Sequence, residues 1–417
     1  MLFSNSCVNR LKRDIECTLG VGGIHGCNPG IYEEDDVYTI LTYDVTSYYP
    51  SYVISSKIYP APLGKEFIKS YAGIKEKRLQ YPKSHPLNKA YKDCLNSLVG
   101  YSKSVFSDIY DYKFFYSVTV NGQLILINLI EELQDKYSDV YPIMVNTDGA
   151  ELVIRKSEYE DIIKAIEDFG KRFGLSFECS LYHRIIVKNV NNYIAISRTP
   201  AKGEENTDLS DIYSKPPTEF IKDGYKYKVK VKGDTFSISV DTENLHRNYS
   251  FLIIPKAIYN YYVFGESVMS TVVKNNLFFD KIGYIRKNRS NKLYIINPIN
   301  KRTYEINRKV IRYFIMSINN YSQFTREFME KFNLDVSNNI GYISRINSDN
   351  KATLLHKNKL YLQVMIDNIY QSVDRDIEYI TKIFNKYINS SYFSNECNKV
   401  IKEVENMETK ELNIFNY

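Results

Sequence analysis

The sequence predicts an α+β fold, an antiparallel sheet backed by helices, on three observations. Val37 to Val45 is a run of β-branched and aromatic residues, the composition of a buried strand. Ile143–Val145 and Glu151–Ile154 are apolar runs joined by Asn146-Thr147-Asp148-Gly149, residues that close a hairpin. Directly after them, Tyr159, Ile162, Ile163, Ile166 and Phe169 recur at helical spacing, and strands follow through 177–197.

Taken in order, residues 1–36 are Gly-rich, with Gly-Val-Gly-Gly-Ile-His-Gly at Gly20 to Gly26, and are expected to be irregular. The strand at 37–45 leaves through Thr46-Ser47-Tyr48-Tyr49-Pro50-Ser51, read as a Pro-fixed turn whose backbone N–H groups can point at phosphate oxygens. Residues 51–110 read as charged, mostly helical segments broken by Pro82 and Pro86, and Gly122 to Lys136 as a strongly apolar helix. Ser157 and Glu160 match a capping box, in which side chains satisfy the free N–H groups of a helix start; Gly174 stops that helix. A polar stretch at 200–217 marks a boundary. Beyond it Tyr225, Tyr227, Val229 and Val231 alternate with Lys226, Lys228, Lys230 and Lys232, and Gly233-Asp234 is expected to turn this strand into a second at Phe236, Ile238 and Val240. The last third reads as helical, with Val373, Ile377, Ile380, Phe384 and Tyr387 at helical spacing.

The 417 residues are enough for two or three folding units. The net charge of +6 fits a nucleic-acid partner, but 55 Lys and Arg stand against 49 acids, so a binding surface must come from segregation of charge. Tyr is abundant (38) and Trp absent, which reads first as AT-rich coding and second as stacking platforms for bases. The six cysteines form no C-x-x-C pair and have no zinc spacing with histidine, as expected of reduced thiols in a cytoplasmic protein. The longest apolar run, Leu124 to Ile130 with Asn128 inside it, is too short to span a bilayer, so no membrane partner is expected.

Asp44 and Asp148 carry the chemistry. Alone, each would be an ordinary turn former or cap. Each follows an apolar strand, however, so both can lie at the same edge of one sheet, where their like charges repel unless a cation neutralises them. Carboxylate oxygens with water and phosphate suit Mg²⁺. Lys92, Asn96 and Gly100 are spaced by four and share one helix face. Lys75, Lys77 and Arg78 form a basic knot upstream. Both groups read either as solvated faces or as phosphate contacts, bidentate for Arg78. The lysine strand reads either as an edge protected by charge or as a line of phosphate contacts, among them Lys228 and Lys230.

In this order the segments resemble the motifs of a family B DNA polymerase, with the style of phage or mobile-element enzymes. Thr-Tyr-Asp44-Val-Thr-Ser-Tyr-Tyr49-Pro-Ser resembles the first palm motif. Lys92-Asp-Cys-Leu-Asn96-Ser-Leu-Val99-Gly100 resembles the fingers-helix motif, and Val-Asn146-Thr-Asp148-Gly149 the third motif. The Gly22-Gly23 segment is similar to a Gly-Gly element that touches the template, and Lys188 with Tyr193 to an element that contacts the primer duplex. The resemblance covers about residues 18–200. It implies a right-hand fold: a lead-in at 1–36, an antiparallel-sheet palm at 37–65 and 111–200, helical fingers at 66–110, and a mixed hairpin and helical thumb and C-terminal region at 201–417.

The resemblance further implies template-directed extension of a primer 3′-OH with dNTPs. Asp44, Asp148 and the Val45 carbonyl would hold two Mg²⁺ ions, or Mn²⁺ in their stead. Tyr49 would be the gate against a ribose 2′-OH; Arg78, Lys77 and Lys92 would bind the triphosphate, Asn96 would hold the fingers site, and Gly100 would let a base pair approach. The motifs depart from the family at Tyr48, Val99, Asn146 and Gly149, and residues 45–92 are too few for the insertion of protein-primed relatives. The short lead-in leaves no room for the family's exonuclease domain, so proofreading would need a separate chain. A non-catalytic DNA-binding half of a split polymerase and an RNA-templated nucleotidyl transferase are the alternative readings.

Overall fold

A computed structural model of the chain describes residues 13–240, 250–286, 292–346, 351–372 and 376–410. They form an α+β protein of antiparallel sheets in two units. One comprises Met1–Glu205, Glu219–Val231 and Val404–Tyr417; the other comprises Asn206–Thr218 and Lys232–Glu403.

In the first unit the Gly-rich lead-in is not irregular. It holds strands β1 (Cys17–Leu19), β2 (Ile24–Cys27) and β3 (Gly30–Glu33). Glycine is needed there for close approach: Gly20 N–H donates to Gly23 C=O at 2.9 Å to turn the chain, and a Cβ on Gly26 would lie 2.6 Å from Cys17 Sγ. Then come β4 (Tyr38–Val45) and four helices, α1 (Tyr48–Ser55), α2 (Glu66–Leu79), α3 (Pro86–Tyr101) and α4 (Tyr112–Lys136). The hairpin β5 (Tyr141–Asn146) and β6 (Gly149–Arg155), helix α5 (Tyr159–Phe173), and strands β7 (Phe177–Tyr182), β8 (Arg184–Asn189) and β9 (Asn192–Pro200) follow. Past the break lie β10 (Glu219–Lys222) and β11 (Tyr225–Lys232). A six-stranded sheet runs β1-β2-β5-β6-β4-β7, and a five-stranded sheet β10-β11-β9-β8-β3.

Alternation along β4 divides the core. Leu41, Tyr43 and Val45 face Leu126, Leu129 and Leu133 of α4 and Ile162, Ile166 and Phe169 of α5. Tyr38 and Ile40 face the other way, onto Ile185, Val187, Tyr193 and Ala195 of the five-stranded sheet. Along that second face Thr42 is still buried, whereas Asp44 is exposed at the end of the row. The helices have their own core of Val53, Phe67, Tyr71, Leu95, Val99, Phe114 and Val118.

Several local expectations change. Pro50 does not fix a turn; it sits in the first turn of α1, where its missing N–H costs nothing. Pro86 opens α3 behind His85, whose ring accepts from Leu87 N–H at 3.2 Å. Helix α4 begins ten residues before Gly122, capped by the Asp111 carboxylate accepting from Phe114 N–H at 3.0 Å. At this length it passes as apolar enough to cross a membrane, but 56% of its apolar window is buried in the protein, as in a core helix. The capping box does not form: a 3₁₀ turn at Lys156–Glu158 precedes α5, and no side chain caps it. Gly174 ends α5 in the left-handed region at φ 64°, as expected.

The lysine strand pairs backward, not forward. Its partner is β10, through Asp223-Gly224, both with positive φ (51° and 77°), the geometry of a two-residue hairpin turn matched to strand twist. Gly233 has positive φ but Asp234 does not, and 234–239 form turns rather than a strand. Residues 219–231 therefore belong to the first unit, although they follow the polar break.

The second unit is not wholly helical. It has α6 (Ile253–Phe264), α7 (Val268–Lys274), a seven-stranded sheet from Gly283–Arg286 to Tyr361–Met365, and α8 (Tyr321–Phe332), α9 (Asp367–Ser372), α10 (Ile377–Tyr387) and α11 (Ser390–Lys410). Phe314, Phe324, Phe328 and Phe384 stack in its centre. Of the expected helical row, Ile380, Phe384 and Tyr387 are buried on α10, and Val373 lies outside the described residues.

Candidate active site

Asp44 lies near the end of β4, and Asp148 in the turn just before β6, the strand paired with β4. In the β4–β6 ladder Asp44 stands opposite Gly149, and Val45 N–H donates to the Asp148 carbonyl at 2.7 Å. Gly149 has a steric reason: a Cβ there would lie 2.5 Å from Asp44 Oδ1 and closer still to the Tyr43 carbonyl. Asn146, on the other side of the turn, accepts the Thr147 N–H at 3.0 Å and shapes the hairpin. Both acids are exposed. Even so, the protein crowding around Asp44, and then the Asp148 charge, hold its carboxyl above the usual carboxylate range; Glu178 adds to this, while Lys230 and Lys83 oppose it.

The Gly-rich turn folds back onto this edge. Tyr49 OH donates to the Gly22 carbonyl, and Gln123 Nε2 donates to the Gly20 carbonyl at 2.9 Å. A Cβ on Gly23 would run into the Thr147 side chain, whereas Gly22 has open space around it. Tyr49 stacks on Tyr48, with ring centroids 5.6 Å apart. Burial, and then the Asp148 charge, push its phenol up to about 12.

Helices α2 and α3 form a hairpin whose cations reach the same edge. Arg78 Nη1 donates to Ser47 Oγ at 2.6 Å, three residues beyond Asp44, and Arg78 Nε donates to Asn88 Oδ1 at 3.3 Å. Lys83, between the helices, donates to Glu178 Oε2 at 2.5 Å. Lys77 is exposed, while Lys75 is half-buried beside Arg78; burial first, and then that like charge, lower its pKa. Lys92, Asn96 and Gly100 share the exposed face of α3, and a Cβ on Gly100 would meet nothing within 4 Å. Val99 is turned away from them into the helical core, 3% exposed.

Strand β11 brings Lys230 toward the acids rather than toward a separate lobe. Its ammonium lies 5.7 Å from the centre of the Tyr193 ring. Burial works against its charge, but the Tyr182 and Tyr193 phenols, with Asp44, hold its pKa above the ordinary lysine value. Tyr193 itself is buried and pushed up to about 12, by burial first. Lys228 is exposed and pairs with Glu219 at 3.1 Å, and Lys188 is half-buried near the end of β8.

Three residues at this edge lie outside the motifs, and a fourth, Ser47, lies inside the first motif with no role assigned to it there. Glu178 stands opposite Asp44 on β7, and Ser47 has left-handed φ 51° just beyond the strand. Asn88 is a buried amide in the first turn of α3, and Lys83 lies in the α2–α3 connection. The i, i+3 spacing of Lys75 and Arg78 was a legible hint that these two, rather than Lys77 and Arg78, share a face.

No group of three or more His, Cys, Asp and Glu able to hold a metal occurs among the described residues. The oxygen donors of Asp44 and Asp148, with the Val45 carbonyl, suit a hard divalent cation, which would offset the like charges of the two carboxylates.

No protein-family model matches the chain, and no curated protein does. Among solved structures it is similar to the family B DNA polymerase from the hyperthermophilic archaeon Pyrobaculum calidifontis, at a TM-score of 0.39 and 12% identity, over 96% of this chain and 47% of that one. The chain thus spans about half the length of that polymerase, and a likeness of this size carries no argument about activity.

Proposed function

We propose that the chain is a template-directed DNA polymerase that extends a primer 3′-OH with dNTPs. The observation that carries this reading is the meeting of Asp44 and Asp148 across the β4–β6 pair, with Arg78 brought to Ser47 beside them. Asp44, Asp148 and the Val45 carbonyl would hold two Mg²⁺ ions, or Mn²⁺, which when bound lower the pKa of the attacking hydroxyl and offset charge on the phosphates.

This chain's own residues supply position and charge. Arg78 would make a forked contact with the triphosphate, with Lys75 beside it and Lys92 on α3 as point charges. Tyr49, held by the Gly22 carbonyl, would be the gate against a ribose 2′-OH. Asn96 and Gly100 on the open face of α3 would meet the nascent pair, and Gly22 and Gly23 the template. Lys188, Tyr193, Lys228 and Lys230 would meet the primer end and product duplex, whose binding should weaken steeply with salt. In this reading 37–65 and 111–200 form the palm, 66–110 the fingers, and the second unit a thumb and C-terminal region. Primer–template DNA and dNTPs are the partners, and the cytoplasm is the compartment.

Primer extension by the purified chain with Mg²⁺ and dNTPs, on DNA and on RNA templates, tests the proposal. Extension on DNA that is lost in Asp148→Asn, with DNA binding retained, is expected. DNA binding without extension by the wild type would instead identify a non-catalytic DNA-binding subunit.

A further inference from the structure

We infer that Asn88 is a positioning residue for the incoming nucleotide: it fixes the Arg78 guanidinium against Ser47 before any triphosphate arrives. This rests on the polymerase reading and deepens it. The amide is used on both sides. Its Oδ1 accepts from Arg78 Nε at 3.3 Å, and its Nδ2 donates to the Arg78 carbonyl at 3.2 Å and to the Tyr81 carbonyl at 2.8 Å. Asn88 is 6% exposed, so each of these bonds is made away from bulk water, where an unmet polar group is costly.

The two halves of the amide do different work. Through Nδ2, Asn88 ties the carbonyls at the end of α2 to the first turn of α3 and so closes the helical hairpin. Through Oδ1 it takes one edge of the guanidinium, leaving Nη1 to donate to Ser47 Oγ at 2.6 Å. An arginine side chain free to rotate would lose several rotamers' worth of entropy on meeting a triphosphate; one already held at two of its nitrogens loses less. Lys75 lies on the same face of α2, and its like charge would push an untethered guanidinium away. The tether therefore acts against a real local repulsion.

Substitutions separate the two roles. Asn88→Ala removes both. Ser47→Ala removes the second anchor without touching the helical hairpin. Two measurements serve: KM and kcat for dNTP in primer extension, and the affinity for inorganic tripolyphosphate by titration calorimetry without metal. Asn88→Ala is expected to raise KM and weaken tripolyphosphate binding about tenfold, the scale of one hydrogen bond to a charged group, with kcat nearly unchanged. Asn88→Ala should also melt at a lower temperature, because two carbonyls lose their donor. Ser47→Ala should weaken tripolyphosphate binding in the same direction as Asn88→Ala.

If Asn88→Ala binds tripolyphosphate as wild type does, or if Ser47→Ala does, Asn88 only holds the helical hairpin together and the inference falls alone. If the wild type extends no primer, the polymerase reading falls and takes this inference with it.

Discussion

The two acids and the cations that face them are built by different means. Asp44 and Asp148 are set by backbone: adjacent strands in register, one backbone hydrogen bond, and a glycine where no side chain fits. Arg78 and Lys83 are set by side chains, through Ser47, Asn88 and Glu178, from a helical hairpin whose outer faces are exposed. The strand edge rests on two hydrophobic cores, whereas the hairpin rests on one. The lesson is that the placing of the two acids depends on backbone pairing and on one glycine, whereas the placing of the cations depends on their side-chain partners. The first should be rigid and the second adjustable, as a step that closes over substrate requires.

Breaking the strand edge should have the largest effect. Asp148→Asn, measured by primer extension, is expected to reduce the rate by about a thousandfold or more, the scale of losing preorganised charge at a reacting phosphate. Thermal melting should stay near that of wild type, because the side chain is exposed. Gly149→Ala attacks the same edge through the backbone. With a methyl forced against Asp44 Oδ1 it should destabilise the protein by about 1–3 kcal/mol in urea titrations and lower extension together with stability. If it folds and extends normally, the strand edge is softer than argued.

The hairpin side should respond more gently. Arg78→Ala is expected to raise KM for dNTP by about ten- to a hundredfold, a charge-assisted contact or two, while leaving metal affinity alone. At Tyr49, Tyr49→Ala should increase ribonucleotide incorporation about tenfold or more, the scale of one close contact. Unaltered discrimination would put the gate elsewhere.

The smallest effect is a pH dependence at the strand edge. The folded-state pKa of Asp44 is raised, so between the unfolded value of 3.8 and the folded one the native state binds more protons than the unfolded state. Stability therefore falls as pH rises through that window. Asp44→Asn should be slightly more stable than wild type at pH 7, with the gap closing toward the acid end of the window. The difference should be small, since Asp44 opens to water, and added Mg²⁺ should shrink it in the wild type. Urea titrations across pH 4 to 7 would show it; a gap that widens on acidification would reverse the assignment.

Much of this was legible in the sequence because it depends on period and on local chemistry. The strand at Asp44, the hairpin at Asp148, helix α5 and its Gly174 stop all follow from short-range patterns. The faces of α3 were legible too, since residues spaced by four share a side. What failed was nonlocal or competitive. The lead-in strands were hidden because glycines needed for close approach read as disorder of pattern. The lysine strand had two turn candidates, and only φ distinguishes Asp223-Gly224 from Gly233-Asp234. Ser47 stood inside the first motif but its bond to Arg78 did not show, and Asn88, Lys83 and Glu178 were invisible, because these roles come from partners 31, 10 and 95 residues away. The sheet of the second unit was missed because its pairing joins strands far apart in the chain, such as Val310–Ser317 with Tyr361–Met365.

The pairing of β11 with β9 has a practical bearing on dissecting the molecule. A fragment cut at the polar break near residue 200 would lose β10 and β11 from one side of the five-stranded sheet, exposing the unpaired backbone of β9. Such a piece would recruit strands from its neighbours and come out of solution, whereas a version that retains residues 219–231 through a short linker would keep that border sealed.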